Sequence, residues 1–221
     1  MKVIAVIPAR KGSTRLPKKN RKKLRGFSLV EWSIKFSKKL KFIDDIVVST
    51  NDKIIERNNK KYEHVKTLLR PKNLAGKKAK TIDAILDVIK KYEKKFGTVE
   101  TVLLLQPTSP FRSLKKVYSA FKKYNYYKKK KSVISVSRVD NLKKINFKIK
   151  NNNLIPSSYY DGEKLKYQIN GNFYFASKKF LKKYKSFYFN KKTYPIILKS
   201  PHLLVDIDTK KDLIKAKNFL N

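Results

Sequence analysis

Short, largely apolar runs recur along the chain and predict β-strands. They lie at residues 3–7, 46–50, 65–69, 101–106, 132–139, 169–175 and 203–208. The run at 3–7 is apolar at every position, which is typical of a strand that is covered on both faces, as in a parallel sheet. The run at 101–106 contains four consecutive aliphatic residues, 102–105, and we expect it near the centre of the sheet.

Segments with helical spacing of their apolar residues separate these runs. They are predicted at 28–40, after the capping pair Asn51-Asp52, at 81–96, 113–124 and 177–184, and from 210 or 211 to 220. Strands and helices that alternate in this way predict an α/β fold with a three-layer, mostly parallel sheet. A length of 221 residues suits one domain, 1–221.

Residues 140–167 interrupt this alternation. The segment is polar, rich in asparagine and aromatic residues, and Ile145, Phe147 and Ile149 alternate in it as in a hairpin or an edge strand. We interpret it as an inserted arm, or a dimerisation arm, rather than as part of the sheet core.

The charge of the chain is extreme, because 56 Lys and Arg residues against 16 Asp and Glu residues give +40. Such a charge is typical of proteins that bind a nucleic acid or an acidic membrane. The lysines are scattered through every helix-like segment, however, and this distribution favours a compositional habit on solvated faces. The field would still draw anionic substrates towards the protein.

Cysteine is absent, which excludes disulfides, thiolate metal sites and cysteine nucleophiles. The sequence passes from Met1 directly into a strand without the features of a signal peptide, and no apolar run approaches membrane-spanning length. We therefore expect a soluble cytoplasmic protein without a membrane partner.

A basic loop follows the first strand, because Pro8 ends the apolar run. Gly12 and Ser13 allow a close approach of the backbone to an anion. The cations of the loop are Arg10, Lys11, Arg15, Lys18 and Lys19. This chemistry suits a polyphosphate, although neither a Walker pattern nor G-x-G-x-x-G is present. A merely solvated basic loop is the alternative.

Further polar loops follow the runs that end at residues 69, 106 and 207. Ligands of open α/β sheets bind at the carboxyl ends of the strands, so we expect these loops to form one crevice with the basic loop. The residues that would meet there are Arg10, Gly12, Ser13, Lys19, Arg70, Gln106, Ser109, Asp206 and Asp208.

Asp206 and Asp208 are two of few acids, and in a strand a spacing of two places both carboxylates on one face. Oxygen ligands of this kind favour Mg²⁺. The alternative is that Asp208 caps the last helix, with Thr209 beside it.

Gln106 could orient a neutral polar group of a substrate or make an ordinary hydrogen bond at a strand end. Asn170-Gly171 is either a tight turn or a place where the backbone meets a ligand. His64 and His202 are isolated, and we interpret both as structural or surface residues.

Six motifs occur in a fixed order: IPARKGSTRLPKKN, VVSTND, LLRP, LLLQPTSPFR, INGNFYF and VDIDT. Together they resemble the CMP-sugar synthetases, and the branch that they resemble most is acylneuraminate cytidylyltransferase. The resemblance implies a Rossmann-like nucleotidyltransferase domain with a small arm, 140–167, that forms a homodimer. It also implies a reaction in which CTP and an acidic 2-keto-3-deoxy sugar, sialic acid or a related nonulosonic acid, give a CMP-sugar and pyrophosphate with Mg²⁺.

The resemblance also implies roles for individual residues. The nucleotide would be bound by Pro8, Ala9, Arg10, Gly12, Ser13, Arg15, Lys19, Asn20, Arg70 and Thr81. The sugar would be bound by Gln106, Ser109, Lys143, Gln168 and Asn170. Arg10, Lys19, Asp206 and Asp208 would be catalytic, and the two aspartates would bind the metal. The anomeric hydroxyl would attack the α-phosphorus while an Asp receives its proton.

The chain departs from the sialic-acid pattern in ways that leave the sugar open. Ser13-Thr14-Arg15 replaces Ser-Lys-Gly and is more similar to the octulosonate synthetases. Gln168-Ile169 stands where an Arg-Pro is frequent, which would leave the sugar carboxylate to Lys143 or Lys144. A CMP-3-deoxy-manno-octulosonate synthetase is therefore the alternative within the family, and a basic nucleic-acid-binding protein is the alternative from another class.

Overall fold

Strands and helices alternate along the chain in the computed structural model, which describes residues 2–139, 146–157 and 165–220. The strands are β1 (Lys2–Pro8), β2 (Lys23–Leu24), β3 (Phe27–Ser28), β4 (Asp45–Thr50), β5 (Val65–Leu69), β6 (Val99–Leu104), β7 (Ser132–Val139), β8 (Asn146–Lys150), β9 (Asn153–Ser157), β10 (Lys166–Ser177) and β11 (Thr193–Leu198). The helices are α1 (Leu29–Ser37), α2 (Lys53–Asn59), α3 (Thr81–Phe96), α4 (Leu114–Tyr126), α5 (Lys178–Tyr184) and α6 (Lys210–Asn218).

The main sheet has the strand order β11-β7-β10-β6-β1-β4-β5. Ala5 of β1 lies beside Ile46 of β4 and Leu103 of β6, and both pairings are parallel. The pairs β4–β5 and β7–β11 are parallel as well, whereas β10 runs antiparallel between β6 and β7. The sheet is thus mostly parallel, and β6, which contains most of the run 101–106, lies in its middle as predicted.

Helices cover both faces of this sheet. On one face, Ile34 of α1, Val117 of α4 and Ala216 of α6 are buried in the same cluster. On the other face, Ile85 of α3 and Leu181 of α5 are buried in a second cluster. The two clusters confirm the predicted three-layer α/β architecture. Among the described residues, no helix is both long and apolar enough to cross a bilayer.

Two elements differ from the sequence-based expectation. The strand predicted at 203–208 is wrong: a 3-10 turn spans Pro201–Leu204, and residues 205–208 have no regular structure. The backbone N–H of Ile207 donates to the carbonyl of Thr108 (2.8 Å), so a loop rather than a strand pairs with this segment. Conversely, β11 was not predicted; it contains Pro195 and lies at the edge of the sheet, where a proline is tolerated.

The described part of segment 140–167 forms a hairpin of β8 and β9. β8 pairs with β10, and Phe147 and Leu154 are buried in the cluster on the α3 side. The hairpin was predicted. The segment was also expected to lie outside the sheet core, but Phe147 and Leu154 are part of a core cluster. Lys143, Lys144 and Ile145 lie outside the described residues, and the dimerisation role stays a prediction.

Glu31 connects the first two helices. It completes the capping box of α1, in which its backbone N–H donates to Ser28 Oγ (3.2 Å) and the Ser28 N–H donates to its carboxylate (2.8 Å). Lys61 Nζ (2.6 Å) and the Tyr62 hydroxyl (3.0 Å), which follow α2, also donate to this carboxylate. Burial by itself raises the pKa of Glu31, but these hydrogen bonds outweigh it and lower the pKa to about 2.

We expect Glu31→Gln to lower the free energy of unfolding at pH 7 by about 1–3 kcal/mol, because the charged hydrogen bonds are lost. A depressed carboxyl pKa stabilises the fold fully above the unfolded value of 4.5 and loses that contribution as pH falls towards 2. Urea unfolding at pH 7, 4 and 2.5 should therefore show the wild type and the variant converging in acid.

Glu56→Gln is the matched control. Glu56 lies on α2, and within the described residues its carboxylate forms an ion pair only with Lys53 (3.3 Å), one helical turn away. It should change the unfolding free energy by less than about 0.5 kcal/mol. A difference for Glu31→Gln that stays constant with pH would contradict the assigned role of the Glu31 charge.

Candidate active site

A crevice opens at the carboxyl ends of β1, β5 and β6. Its volume is about 140 Å³. The residues that line it are Pro8, Arg10, Gly12, Ser13, Lys19, Asn20, Arg70, Thr81, Gln106, Pro107 and Thr108. Cavities of about 510 and 730 Å³ exist elsewhere in the described residues, but this crevice is where the predicted loops after residues 7, 69 and 106 meet. These loops therefore converge at the carboxyl ends of the strands, the edge of the sheet at which the sequence predicts a ligand. Ser109, Asp206 and Asp208, which were also predicted there, are not among the residues that line the crevice.

The basic loop is attached to the end of β4. The backbone N–H of Ala9 donates to the carbonyl of Ser49 (2.8 Å), and Thr50 Oγ1 donates to the carbonyl of Ala9 (2.6 Å). Farther along the loop, Asn20 Nδ2 donates to the carbonyl of Arg10 (2.9 Å). These bonds order the loop backbone before any ligand binds, which lowers the entropic cost of binding.

Two arginines of the crevice face it without a carboxylate partner among the described residues. Arg10 Nη1 donates to the carbonyl of Gly76 (2.6 Å), and Arg70 donates from Nε and Nη2 to Ser49 Oγ and the Ser49 carbonyl (3.2 Å each). Arg70 is buried, and its burial, with the charge of Arg10, lowers its pKa to about 10. An anion bound between the two guanidinium groups would relieve this repulsion.

Asp208 joins the basic loop to the carboxyl-terminal part of the chain. Lys19 Nζ contacts its Oδ1 at 2.6 Å, and Arg15 Nη2 contacts its Oδ2 at 2.5 Å. Both carboxylate oxygens are thus held by cations. The alternative that Asp208 caps the last helix is wrong, because the cap of α6 is Thr209, whose Oγ1 accepts from the backbone N–H of Asp212 (3.2 Å).

Asp206 is the second carboxylate of the pair. Ile207 is fully buried between Asp206 and Asp208, both of which are more exposed, so the two acids alternate with it although the segment is not a strand. Asp206 remains accessible to solvent, yet partial burial of its carboxylate raises its pKa, and repulsion by Asp208 acts in the same direction. A hydrogen bond from Thr108 and the charge of Lys19 oppose the shift.

These two carboxylates are the residues that could hold a metal. In residues 2–139, 146–157 and 165–220, no group of three or more His, Cys, Asp or Glu side chains is arranged for a metal ion. A pair of carboxylates still fits a hard cation that takes its other oxygen ligands from water and phosphate, as Mg²⁺ does.

Gly171 lies where β10 passes the end of β6. Its φ is +80°, and a Cβ at this position would approach Gln106 Oε1 to 2.6 Å and Ser109 Oγ to 3.4 Å. Asn170-Gly171 is therefore a close approach within an irregular part of β10 and not a hairpin turn. The Tyr174 hydroxyl donates to Gln106 Oε1 (3.4 Å) and restrains the amide of that residue.

Three polar atoms around Gly171 are buried without a hydrogen-bond partner in the described protein. They are Ser109 Oγ, Asn170 Nδ2 and Asn172 Oδ1. Buried polar groups are normally satisfied, so these atoms mark a place where water or a ligand completes the bonding. Ser109 and Gln106 both approach Gly171, and Asn170 precedes it in the chain, while their role in binding the sugar stays a prediction.

The remaining predicted residues differ in their placement. Arg15 contacts Asp208 rather than lining the crevice, and Gln168 lies on β10 opposite Ser137 of β7, before the irregular part of the strand. Lys143 lies outside the described residues. Thr108 was missed, although its position in a polar loop just after β6 is the same signal that pointed to Gln106.

The fold and this crevice define an α/β protein with a basic crevice, suited to an anionic ligand, at the edge of its sheet. Comparison with known proteins gives the particular family: residues 4–220 match the Cytidylyltransferase family model. The chain belongs to the cytidylyltransferase family, and it is accordingly a nucleotidyltransferase.

Two characterised relatives and one solved structure illustrate the similarity. The chain is 35% identical over 217 residues to CMP-N,N'-diacetyllegionaminic acid synthase of Legionella pneumophila, covering 95% of this chain and 92% of that protein. It is 34% identical over 137 residues to N-acylneuraminate cytidylyltransferase of Escherichia coli, covering 62% and 32%. A CMP:2-keto-3-deoxy-manno-octonic acid synthetase complexed with CTP has a TM-score of 0.78 at 15% identity, covering 100% and 98%, and so shares the fold.

We expect Gly171→Ala to reduce cytidylyl transfer at least about tenfold, because the new Cβ displaces the amide of Gln106. Its strained φ should also lower the free energy of unfolding by about 1–2 kcal/mol. Pyrophosphate release and thermal unfolding measure the two effects.

Gly26→Ala is the control, because Gly26 has the same strained φ, +81°, with no atom within 4 Å of its added Cβ. It should lose similar stability and keep its activity. Equal activities of the two variants would show that Gln106 does not depend on Gly171.

Proposed function

We propose that this enzyme transfers the cytidylyl group of CTP to an acidic nine-carbon 2-keto-3-deoxy sugar of the N,N'-diacetyllegionaminic acid type, releasing pyrophosphate. The observation that carries the proposal is the contact of Lys19 with Asp208, which joins the carboxylate pair to the basic loop that lines the crevice. The relative that is similar over nearly its whole length, a CMP-N,N'-diacetyllegionaminic acid synthase, supports this choice of sugar.

In this proposal, Arg10 and Lys19 neutralise the triphosphate, and the backbone around Gly12 and Ser13 surrounds it. Arg10 projects from an ordered loop and is held by a carbonyl that an anion can replace. Arg70 and Thr81 line the same crevice beside the nucleotide. Charge that builds on the departing pyrophosphate would meet cations that are already in place, which is the arrangement that stabilises a phosphoryl-transfer transition state.

The sugar is proposed to lie beside Gln106, Ser109 and Asn170. Its anomeric oxygen attacks the α-phosphorus, a new P–O bond forms, and the bond to pyrophosphate breaks. The hydroxyl proton passes to Asp206, because both oxygens of Asp208 are engaged by cations while the raised pKa of Asp206 suits a proton acceptor. Asp206 and Asp208 would hold Mg²⁺ with the lone pairs that these contacts leave free on each carboxylate, and the metal would supply further neutralisation of phosphate charge.

We further propose that the enzyme works as a homodimer through segment 140–167, and that it acts in the cytoplasm, where CTP is available. The hairpin of β8 and β9 already packs on β10, so the segment has a fixed base from which to reach a second copy. Sedimentation equilibrium of the wild type tests the dimer, and a monomer at all concentrations would refute it.

Binding of nucleic acid is the competing explanation of the +40 charge. It predicts tight, steeply salt-dependent binding of RNA or DNA that is retained in Asp206→Asn and Asp208→Asn. The crevice and the family membership account for the site without such a partner, and the charge then serves to attract CTP and the acidic sugar.

The direct experiment measures pyrophosphate release from CTP and Mg²⁺ with a panel of acidic sugars. We expect N,N'-diacetyllegionaminate to give the highest kcat/KM among legionaminate, N-acetylneuraminate, pseudaminate and 3-deoxy-manno-octulosonate. Preference for the octulosonate would identify the alternative within the family, and no release with any of the sugars would refute the proposal.

We expect Lys19→Met to lower kcat/KM about 10²-fold, because a preorganised cation is removed from the developing phosphate charge. Lys18→Met is the matched control, since Lys18 is the preceding lysine of the same loop and is exposed. It should retain activity within about twofold. Equal losses in both variants would indicate a general effect of charge and not a specific contact of Lys19.

A further inference from the structure

Arg112 connects the loop after β6 with the irregular part of β10. Its Nη2 donates to the carbonyl of Gln106 (2.6 Å), and its Nε donates to the carbonyl of Asn172 (2.9 Å). A third bond runs from Nη1 to Ser33 Oγ on α1 (3.2 Å). One rigid guanidinium therefore spans three segments that are distant in sequence.

This arrangement is costly for the fold. Arg112 keeps some exposed surface in the groove beside α1, but its guanidinium is desolvated enough for burial to lower its pKa to about 9. Within the described ranges, the guanidinium contacts two carbonyls, one hydroxyl and the ring of Phe36, and none of these partners is a carboxylate. A charge buried without a counterion destabilises a protein unless its hydrogen bonds compensate.

The two carbonyls that Arg112 holds belong to Gln106 and to Asn172, which follows Gly171 in the chain. Asn172 is also fixed by its own side chain, because its Nδ2 donates to the carbonyls of Phe111 (2.8 Å) and Leu203 (3.0 Å). A Cβ built on Gly171 would lie 2.6 Å from Gln106 Oε1, so the backbone of Gly171 closely approaches that amide. The spacing between Gln106 and the backbone of Gly171 and Asn172 thus depends on the guanidinium that bridges the Gln106 and Asn172 carbonyls.

We propose that Arg112 is a positioning residue for the acidic sugar, which it serves by holding Gln106 and the Asn170–Asn172 segment at the spacing that presents their polar groups to the substrate. The inference rests on the proposed function. Arg112 itself does not line the crevice, so it acts through these neighbours and has no contact with the nucleotide part of the site.

The test compares KM for N,N'-diacetyllegionaminate with KM for CTP in Arg112→Met, Arg112→Lys and Arg25→Met. Arg25 lines the same groove, and in the described part of the chain its side chain donates only to the carbonyl of Leu220 (3.1 Å). Arg25→Met therefore removes a like charge without disturbing the hydrogen bonds of Arg112. Unfolding midpoints and CTP binding by calorimetry accompany the kinetics.

We expect Arg112→Met to raise KM for the sugar at least about tenfold while KM for CTP and the calorimetric affinity stay within about twofold. Arg112→Lys should recover part of the loss, because an ammonium group can still donate to one or two of the carbonyls. Arg25→Met should leave both KM values unchanged. If Arg112→Met does not fold, the ratio of the two KM values in Arg112→Lys decides.

A purely structural role would lower the unfolding midpoint and leave that ratio at its wild-type value, and this result in both Arg112 variants would overturn the inference. Parallel rises of both KM values would overturn it as well. A wild-type enzyme that is inactive with every sugar of the panel would instead refute the proposed function, and the inference with it.

Discussion

The ion pair between Lys19 and Asp208 is the interaction on which the site depends. It closes a loop of 189 residues and holds the basic segment after β1 against the acidic segment before α6. Arg15 occupies the other oxygen of the same carboxylate. The pair is only partly exposed, with 16% and 28% of the two side chains accessible, so water screens it less than it would a surface ion pair. This contact joins the cations of the loop directly to the acidic segment, which the backbone hydrogen bond from Ile207 to Thr108 also holds beside the loop after β6.

A second constraint is that buried charged groups need hydrogen-bond partners. Arg70 and Arg112 are both desolvated, and both are satisfied by hydroxyl and carbonyl oxygens instead of carboxylates. The two positions differ in their relation to the crevice, because Arg70 lines it and Arg112 stands behind it. Arg70 therefore remains available to an anion, whereas the bonds of Arg112 order the backbone. In a chain of +40 most cations are solvated, and these two stand out because the protein bears the cost of burying them.

Local pattern predicted most of the architecture. The apolar runs at 3–7, 46–50 and 65–69 are strands, 81–96 is a helix with the predicted bounds, and Asp52 of the predicted capping pair caps α2. The prediction failed where a distant partner decides the outcome. Residues 203–208 have the alternation of a strand, but their backbone pairs with the loop at Thr108, and β11 depends on β7 for its place in the sheet.

For the site, the sequence by itself determined which chemical groups are present and at which edge of the sheet they meet, because strand ends and loop composition are local properties. Only the tertiary structure decided how those groups are paired: that Asp208 is held by Arg15 and Lys19 while Asp206 is not, that the missing side chain of Gly171 leaves room for the Gln106 amide, and that Arg112 supports both. Apart from the bond of Arg112 to Gln106, six positions away, such pairings join residues that are tens to nearly two hundred positions apart. Their geometry is set by how the helices and strands pack, and no spacing along the chain encodes it.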